Sequence, residues 1–271
     1  MPIRYLKTCA EIYWKMVRIR GEKVRPHWED GTPAYTIKRF GMVNRYDLRK
    51  EFPILTLRST SFKLCTDELL WIWQKKSNNI HDLSSYIWDF WADENGSIGK
   101  AYGYQMGIKH RYKEGMFDMV DRVLYDLKHN PYIRRIMTSM YTFADLHEMN
   151  LYPCAYSMTF NVTKNKGNGR LVLNAILNQR FNDVLTANNW NVVQYAVLLH
   201  MIAPVSDMEA GELVHVIADA HIYDRHVHLI KEMLKREPLP VPKFWINPEI
   251  KDFYDFTVDN VRLENYQGQK R

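Results

Sequence analysis

The segment of residues 213–223 constrains the fold more than any other, because apolar and polar residues alternate along much of it. A β-strand places successive side chains on opposite faces of a sheet. One face would carry His215, Ile217, Asp219, His221 and Tyr223, and the other Val214, Val216, Ala218, Ala220 and Ile222. We therefore predict a strand whose second face lies in the core and whose first face carries the chemistry.

Further elements of both types surround this strand along the chain. Residues 155–162 and 171–181 are β-rich runs that flank the turn-prone KNKGNG, and they predict a hairpin. Apolar spacing predicts helices over residues 3–17, 61–74, 119–127 and 191–201, and a short strand or extended segment over residues 52–56. No linker or internal repeat divides the chain, so we predict one α+β domain over residues 1–271, built on a mixed sheet flanked by helices.

Composition and cysteine usage narrow the class of protein. The formal net charge of +6 suits an anionic ligand without requiring a nucleic acid. The three cysteines are widely spaced and form no C-x-x-C pair, which argues against a disulfide framework or a thiolate zinc site. Neither a signal peptide nor an apolar stretch long enough for a membrane span is present, so we predict a cytoplasmic protein.

Three local patterns have both a functional and a structural interpretation. The glycines around Lys100 match neither common nucleotide-binding loop. His215, His221, His226 and His228 fit no metal-site pattern, which favours polar cleft histidines and no metal. Cys9 and Cys65 are typical of small buried residues in helices, whereas Cys154 begins a predicted strand after Pro153 and is a candidate nucleophile.

Motifs spread over nearly the whole chain resemble the thymidylate synthase family. They are Phe52-Pro-Ile-Leu-Thr with Glu68-Leu-Leu-Trp71; Ile87-Trp88-Asp89 with Trp91-Ala-Asp and Tyr102-Gly103; and Leu151-Tyr-Pro153-Cys154 with Gln179-Arg180 and Asp219-Ala-His221-Ile-Tyr223. The resemblance implies a homodimeric α+β enzyme that dimerises through its sheet. It also implies the reductive methylation of dUMP at carbon 5, with methylenetetrahydrofolate as donor of the one-carbon unit and the hydride, giving dihydrofolate.

The resemblance implies catalytic roles for Cys154, Glu68 and Arg180. Carbon 5 of uracil is a poor nucleophile until a thiolate adds to carbon 6, and Cys154 matches that thiol. An ordinary cysteine, with a pKa of about 8.5, is mostly protonated at neutral pH. Arg180 matches the arginine that can serve both the thiolate and the nucleotide phosphate, and Glu68 matches the glutamate that moves protons.

The resemblance also implies binding roles. Asn191 matches the amide that hydrogen-bonds the uracil ring, and His221 and Tyr223 match residues that hold the deoxyribose hydroxyl. Arg134 and Arg135 match a pair that reaches across the dimer to the neighbouring subunit's phosphate.

A further three residues, Trp88, Trp91 and Asp183, match the folate pocket, and Asp183 is also a candidate for binding the substrate. For the two tryptophans, ordinary core packing is the structural alternative. The implied partners are dUMP, the folate and a second copy of the chain, with no membrane and no nucleic acid.

The chain departs from the family pattern at several places. Phe181 replaces the usual Ser after the phosphate-binding arginine, and Gly31 stands where many members carry another arginine, a role that Arg25 could take. Ala155 replaces the common His after the nucleophile, and residues 185–189 lack the usual Leu-Gly-x-Pro. Losing one hydrogen bond to a charged phosphate costs about 1.5–3 kcal/mol, so we predict weakened phosphate binding.

Two alternative functions remain open at this point. Family members continue past the Tyr266 region to an apolar C-terminus that closes over the folate, whereas this sequence ends at Arg271. Without that lid, water would replace the hydride and the product would be that of a (deoxy)uridylate or cytidylate 5-hydroxymethylase. Phe181 and the positive charge suggest instead a non-catalytic nucleotide or RNA binder, against which the joint presence of Cys154, Glu68, Arg180 and Asn191 argues.

Overall fold

A six-stranded sheet lies at the centre of the computed structural model, which describes residues 17–19 and 26–270. The strands are β1 (Val17–Ile19), β2 (Thr36–Asp47), β3 (His110–Tyr112), β4 (Gly115–Phe117), β5 (Met137–Ser139), β6 (Ala155–Lys164), β7 (Leu171–Asp183), β8 (Glu209–Tyr223), β9 (Lys243–Ile246) and β10 (Val261–Glu264). The helices are α1 (Phe62–Trp73), α2 (Gly103–Gly107), α3 (Met119–His129), α4 (Asn188–Val205) and α5 (Val227–Leu234).

The sheet is mixed, as the sequence predicts. Its strand order is β1-β2-β8-β7-β6-β5, in which β7 and β8 are parallel and all other neighbours antiparallel. Parallel neighbours need a crossover connection, and α4 provides it between β7 and β8. The predicted hairpin is confirmed, since β6 pairs with β7 from Ala155 opposite Gln179 to Lys164 opposite Leu171.

The predicted helices beyond the N-terminal segment are confirmed as α1, α3 and α4. The sequence of α4 is apolar on nearly all sides, which suits a helix buried between α1 and the sheet. Asp118 caps α3 by accepting hydrogen bonds from the backbone N–H groups of Val120 and Asp121. The helix predicted over residues 3–17 lies outside the described residues, apart from Val17, which begins β1.

Two stretches of the chain refine the expectations about strands. Residues 52–56 are buried but form no strand, so the extended alternative is the right one. Alternation of apolar and polar residues is short and interrupted after Pro33, yet residues 36–47 form one long strand, β2, whose register against β8 runs from Thr36 opposite Tyr223 to Asp47 opposite Glu212. Lys38 and Arg39 lie inside this strand, and consecutive polar residues hide a strand from a pattern of strict alternation.

The prediction for the two faces of β8 is also partly wrong. His215 and His221, on the face expected to be polar, are 0% and 1% exposed, whereas Val216 and Ala218 of the opposite face are half-buried. The face that bears the histidines is therefore largely buried, and around Val216 the opposite face is the outer one. On the outer side, Val43 pairs with Val216, and the neighbouring strands leave Ile176 and Met137 exposed, so apolar side chains remain open to solvent across several strands.

None of the described helices is both long enough and apolar enough to cross a membrane.

Candidate active site

A cavity of about 450 Å³ opens between α1, α4 and the ends of β6 and β7, within the usual size range of small-molecule sites. Six of the residues that the sequence predicts for function line it: Glu68, Trp88, Trp91, Cys154, Asp183 and Asn191. Tyr102, Gln179, Phe181, Trp190 and Gln194 also line it, although the sequence alone assigned no function to them. The cavity thus gathers residues from distant parts of the chain.

Cys154 lies immediately before β6, with its side chain at the cavity. Its Sγ is 3.9 Å from Nη2 of Arg180. Burial raises the pKa of the Cys154 thiol, while the positive charge of Arg180 and the hydroxyl of Tyr102 lower it. Arg180 is itself held in place, because it donates to the carbonyl oxygens of Pro153 at 3.0 Å and Tyr152 at 2.7 Å. The arginine is therefore fixed where it stabilises a thiolate.

Tyr102 supports the nucleophile from the other side. Its hydroxyl oxygen accepts a hydrogen bond from the backbone N–H of Cys154 at 3.0 Å. The backbone φ of Tyr102 is +45°, a conformation that side-chain-bearing residues rarely adopt. The next residue, Gly103, must be a glycine, because a Cβ there would lie 2.1 Å from the carbonyl oxygen of Ser77. The Tyr-Gly pair stands in the sequence motifs, but its backbone strain was not visible there.

Glu68 lies on the inner face of α1 and is 5% exposed. The indole N–H of Trp190 donates to its carboxylate at 2.9 Å. Burial raises the pKa of Glu68 to about 7, because a charged carboxylate is poorly solvated in this setting. The side chains of Gln194, Trp190 and Trp88 limit that rise, although only Trp190 of the three forms a hydrogen bond with the carboxylate. A group that titrates near neutral pH suits general acid–base chemistry.

Asn191 belongs to a row of hydrogen-bonded side chains beneath the cavity. Nε2 of His215 lies 2.7 Å from Oε1 of Gln179, and Nε2 of Gln179 donates to Oδ1 of Asn191 at 2.9 Å. Nδ2 of Asn191 donates to Oε1 of Gln194 at 3.1 Å. Burial lowers the pKa of His215 to about 3, so the imidazole is neutral. The amide of Asn191 is therefore held from both sides.

His221 and Tyr223 lie next to one another on β8 but do not line the cavity. Nδ1 of His221 is 3.0 Å from Oδ1 of Asp219. The other carboxylate oxygen of Asp219, Oδ2, forms an ion pair with Lys38 at 2.9 Å. The ring of Phe181 lies over the imidazole, with 4.2 Å between the ring centroids. Phe181 therefore separates His221 from the cavity.

Asp183 combines a structural contact with a place at the cavity. Its carboxylate accepts hydrogen bonds from the backbone N–H groups of Leu185 at 2.9 Å and Thr186 at 3.3 Å, and from the Thr186 hydroxyl at 2.6 Å. Asp183 thus shapes the turn that leads into α4.

Trp88 and Trp91 form one aromatic wall. Their ring centroids are 5.7 Å apart, and Trp88 also packs edge-on against Tyr102 at 5.0 Å. Trp88 is buried, whereas Trp91 is half-buried. The two tryptophans therefore combine core packing with a place in the cavity wall.

Arg134 and Arg135 are not brought to the cavity of their own chain. Both are exposed in the turns that follow α3. The glycine segment around Lys100 also lies elsewhere and has a structural role. Lys100 forms ion pairs with Glu148 at 2.6 Å and Asp145 at 3.6 Å. Among residues 26–270, no group of three or more His, Cys, Asp or Glu side chains is arranged to hold a metal ion.

The fold and the cavity together define an α+β protein that places a cysteine thiol beside an arginine and shares the same cavity with a buried carboxyl group. The family model described as thymidylate synthase matches residues 4–271. This chain belongs to the thymidylate synthase family, whose members are methyltransferases and use methylenetetrahydrofolate.

Individual relatives are similar along most of the chain. A thymidylate synthase of Bacillus subtilis subsp. natto is 43% identical over 249 residues, covering 90% of this chain and 87% of that protein. A thymidylate synthase of Bacillus phage phi3T has the same identity and coverage. The solved structure of the thermostable thymidylate synthase A from Bacillus subtilis matches with a TM-score of 0.93 and 39% identity, covering 100% of this chain and 97% of that chain.

Proposed function

We propose that this chain methylates dUMP to dTMP, with Cys154 as the nucleophile and methylenetetrahydrofolate as co-substrate, in one catalytic domain spanning residues 1–271. One observation carries the proposal: Cys154, 3.9 Å from Arg180, shares a cavity with Glu68 and Asn191. A binder without catalytic activity would not need a thiol, a guanidinium and a carboxylic acid at one place.

The first chemical step is addition of the Cys154 thiolate to carbon 6 of the uracil ring. Arg180 stabilises the thiolate, which offsets the rise in the Cys154 pKa that burial produces. Addition makes carbon 5 electron-rich. Glu68, which titrates near neutral pH, then serves the proton transfers that accompany loss of the carbon 5 proton.

Asn191 selects the base in this proposal. Its Oδ1 accepts from Gln179 and its Nδ2 donates to Gln194, which leaves one acceptor and one donor position unused. Uracil offers a ring N–H beside a carbonyl oxygen, and this edge matches the remaining pair. His221 and Tyr223 are proposed to hold the deoxyribose hydroxyl.

The aromatic wall of Trp88 and Trp91 fits the flat rings of a folate, with Asp183 available to accept hydrogen bonds from the pterin nitrogens. When bound, the folate supplies the one-carbon unit and the hydride. Trp88 lies between Tyr102 and Trp91, so the folate site borders the side chains that support Cys154.

We also propose a cytoplasmic homodimer with shared active sites. The outer face of the sheet exposes Val43 to 59%, Ile176 to 39% and Met137 to 53%, an apolar surface suited to a second copy. Arg134 and Arg135, exposed and outside their own cavity, would then contact the neighbouring subunit's phosphate. The free thiols of Cys65 and Cys154 are compatible with a reducing compartment.

The reaction is tested with dUMP labelled with tritium at carbon 5, together with methylenetetrahydrofolate. We expect tritium release, dTMP and an equal amount of dihydrofolate. A 5-hydroxymethyl nucleotide without dihydrofolate would replace the proposal with a hydroxymethylase, and absence of both tritium release and product would leave a nucleotide binder.

Shared sites are tested by mixing two inactive proteins, Cys154→Ser and the double variant Arg134→Ala/Arg135→Ala, under conditions that exchange subunits. Random pairing makes about half of the dimers mixed, each with one complete site, so about a quarter of the intact activity should return. No recovery, with exchange verified by mass labelling, would assign the arginines to another role.

A further inference from the structure

The row of side chains beneath the cavity has a direction. Because Oε1 of Gln179 can only accept, Nε2 of His215 carries the ring proton, and the next two hydrogen bonds run from Gln179 to Asn191 and from Asn191 to Gln194. Each amide thus accepts from the His215 side and donates towards Gln194.

Gln194 stands where this row meets the general acid–base. Its Nε2 is buried, forms no hydrogen bond with the described residues, and lies close enough to the Glu68 carboxylate to lower the pKa of that group. Asn191 and Gln194 are three residues apart on α4, which places their side chains next to each other. Trp190, four residues before Gln194, donates to the same carboxylate. One turn of α4 therefore carries the base-binding amide of Asn191 and also contacts Glu68.

The direction matters for the choice of base. A reversed Asn191 amide would offer a donor where uracil also has a donor, and would suit the edge of cytosine. Reversal would also set the NH₂ of Asn191 against that of Gln179, and the carbonyl oxygen of Asn191 against that of Gln194. Gln194 cannot turn to relieve the second conflict, because its oxygen would then face the carboxylate of Glu68.

We propose that Gln194 is a positioning residue that links Glu68 to the base-binding amide, fixing Asn191 for uracil while holding the Glu68 carboxylate by an N–H contact. This inference rests on the proposed function, since it takes Asn191 as the residue that contacts the base. Gln194 does two things at once, and substitutions separate them.

Gln194→Met keeps the size of the side chain and removes both contacts. We expect the preference for dUMP over dCMP, measured as a ratio of Kd values by equilibrium dialysis, to fall about tenfold. The acidic limb of the pH profile of kcat/KM should move up by about one pH unit, because loss of the Gln194 N–H donor favours the protonated form of Glu68.

Gln194→Glu keeps an acceptor for Asn191 but places a second carboxylate beside Glu68. The dUMP to dCMP ratio should stay within about twofold of the wild type, while the acidic limb moves up at least as far as in Gln194→Met. Gln105→Met is the matched control, because Gln105 is a buried glutamine with hydrogen bonds to Lys100 and Asp145 and does not line the cavity. It should alter neither quantity.

The outcomes distinguish the two proposals. Wild-type protein that neither binds dUMP nor releases tritium defeats the proposed function. A different result is that the wild-type protein does both while Gln194→Met leaves the dUMP to dCMP ratio and the acidic limb of kcat/KM unchanged. That result overturns the role of Gln194 alone. If Gln194→Met fails to fold by circular dichroism, an unmoved acidic limb in the nearly isosteric Gln194→Glu still overturns it.

Discussion

The two ends proposed for the candidate site, one for the base and one for the phosphate, are built in different ways. At the base end, Asn191 is held on both sides by amides, and His215 beneath them is completely buried. At the phosphate end, Arg134 and Arg135 are exposed, and Phe181 covers His221. One end is prearranged within the chain, and the other awaits its ligand or a partner subunit.

The difference follows from the chemistry of the groups involved. Neutral amides can be buried when each finds a partner, and in a low-dielectric interior their mutual orientation is then strongly fixed. Unpaired guanidinium groups remain in water, because burying a charge without a partner is costly. In the proposed function, discrimination between bases therefore belongs to the rigid end, and affinity for the phosphate depends on groups that pair on binding.

The largest expected effect is at Cys154, where the two ends meet. Cys154→Ser leaves a hydroxyl whose pKa is far above that of a thiol, so the rate of tritium release should fall about 10⁴-fold or more. Both ends stay intact, so the Kd for dUMP should change less than about threefold by equilibrium dialysis. Unchanged tritium release would show that Cys154 is not the nucleophile.

Next in size is the effect of Glu68→Gln on the rigid end. Loss of the proton-transfer group should lower kcat about 10²- to 10⁴-fold and abolish the acidic limb near pH 7. The substitution should also stabilise the protein above neutral pH. Burial raises the pKa of Glu68 from its ordinary value of 4.5 to about 7 in the folded protein. The wild type therefore loses stability as the pH rises from 4.5 to about 7.

The size and sign of this stability change are measurable. The pKa rise corresponds to about 3 kcal/mol, an upper estimate for the gain of Glu68→Gln in free energy of unfolding at pH 8, and the gain should vanish below pH 4. Denaturant unfolding at the two pH values checks it. Equal gains at pH 4 and pH 8 would mean that ionisation of Glu68 is not the cause.

These effects rest on residues that differ in how far the sequence could predict them. Cys154 and Glu68 stand in recognisable motifs, Asn191 follows a stretch that departs from the family pattern, and the structure places all three at the cavity. Gln194 and Trp190 are visible in the sequence as polar or amphipathic residues within an apolar helix. Their partner, Glu68, lies more than a hundred residues away, so helical spacing could not connect them.

The strands teach a related lesson. Alternation along β8 assigned His215 and His221 to one face correctly, but it could not tell which face would be buried deeper. Burial depends on what packs above each face, and alternation along the strand does not show which residues α4 contacts. Polar residues in β2 hid a twelve-residue strand, because its partner β8, rather than its own pattern, determines its extent.

A smaller effect is expected at Arg180, which reaches from Cys154 towards the phosphate end. Arg180→Lys keeps the charge but loses the fork that donates to Pro153 and Tyr152. The pKa of Cys154 should rise, because the lysine ammonium is no longer fixed beside the thiol, where the positive charge of Arg180 opposes the effect of burial. We expect about a tenfold fall in kcat/KM at pH 7 that diminishes as pH rises. A fall that is equal at pH 7 and pH 9 would contradict stabilisation of the thiolate.

The smallest expected effect sharpens the comparison at the phosphate end, and it is a gain. Phe181→Ser removes the ring that lies 4.2 Å from the His221 imidazole and adds a hydroxyl that can donate to phosphate. The Kd for dUMP should fall about three- to tenfold, with some of the hydrogen bond's contribution offset by lost ring packing.

Phe181→Ala is the matched control, because it opens the same space without a hydroxyl. The Kd for deoxyuridine, which has no phosphate, should be similar in the two variants. Equal affinity of Phe181→Ser and Phe181→Ala for dUMP would mean that Phe181 limits access to His221 and does not weaken phosphate binding.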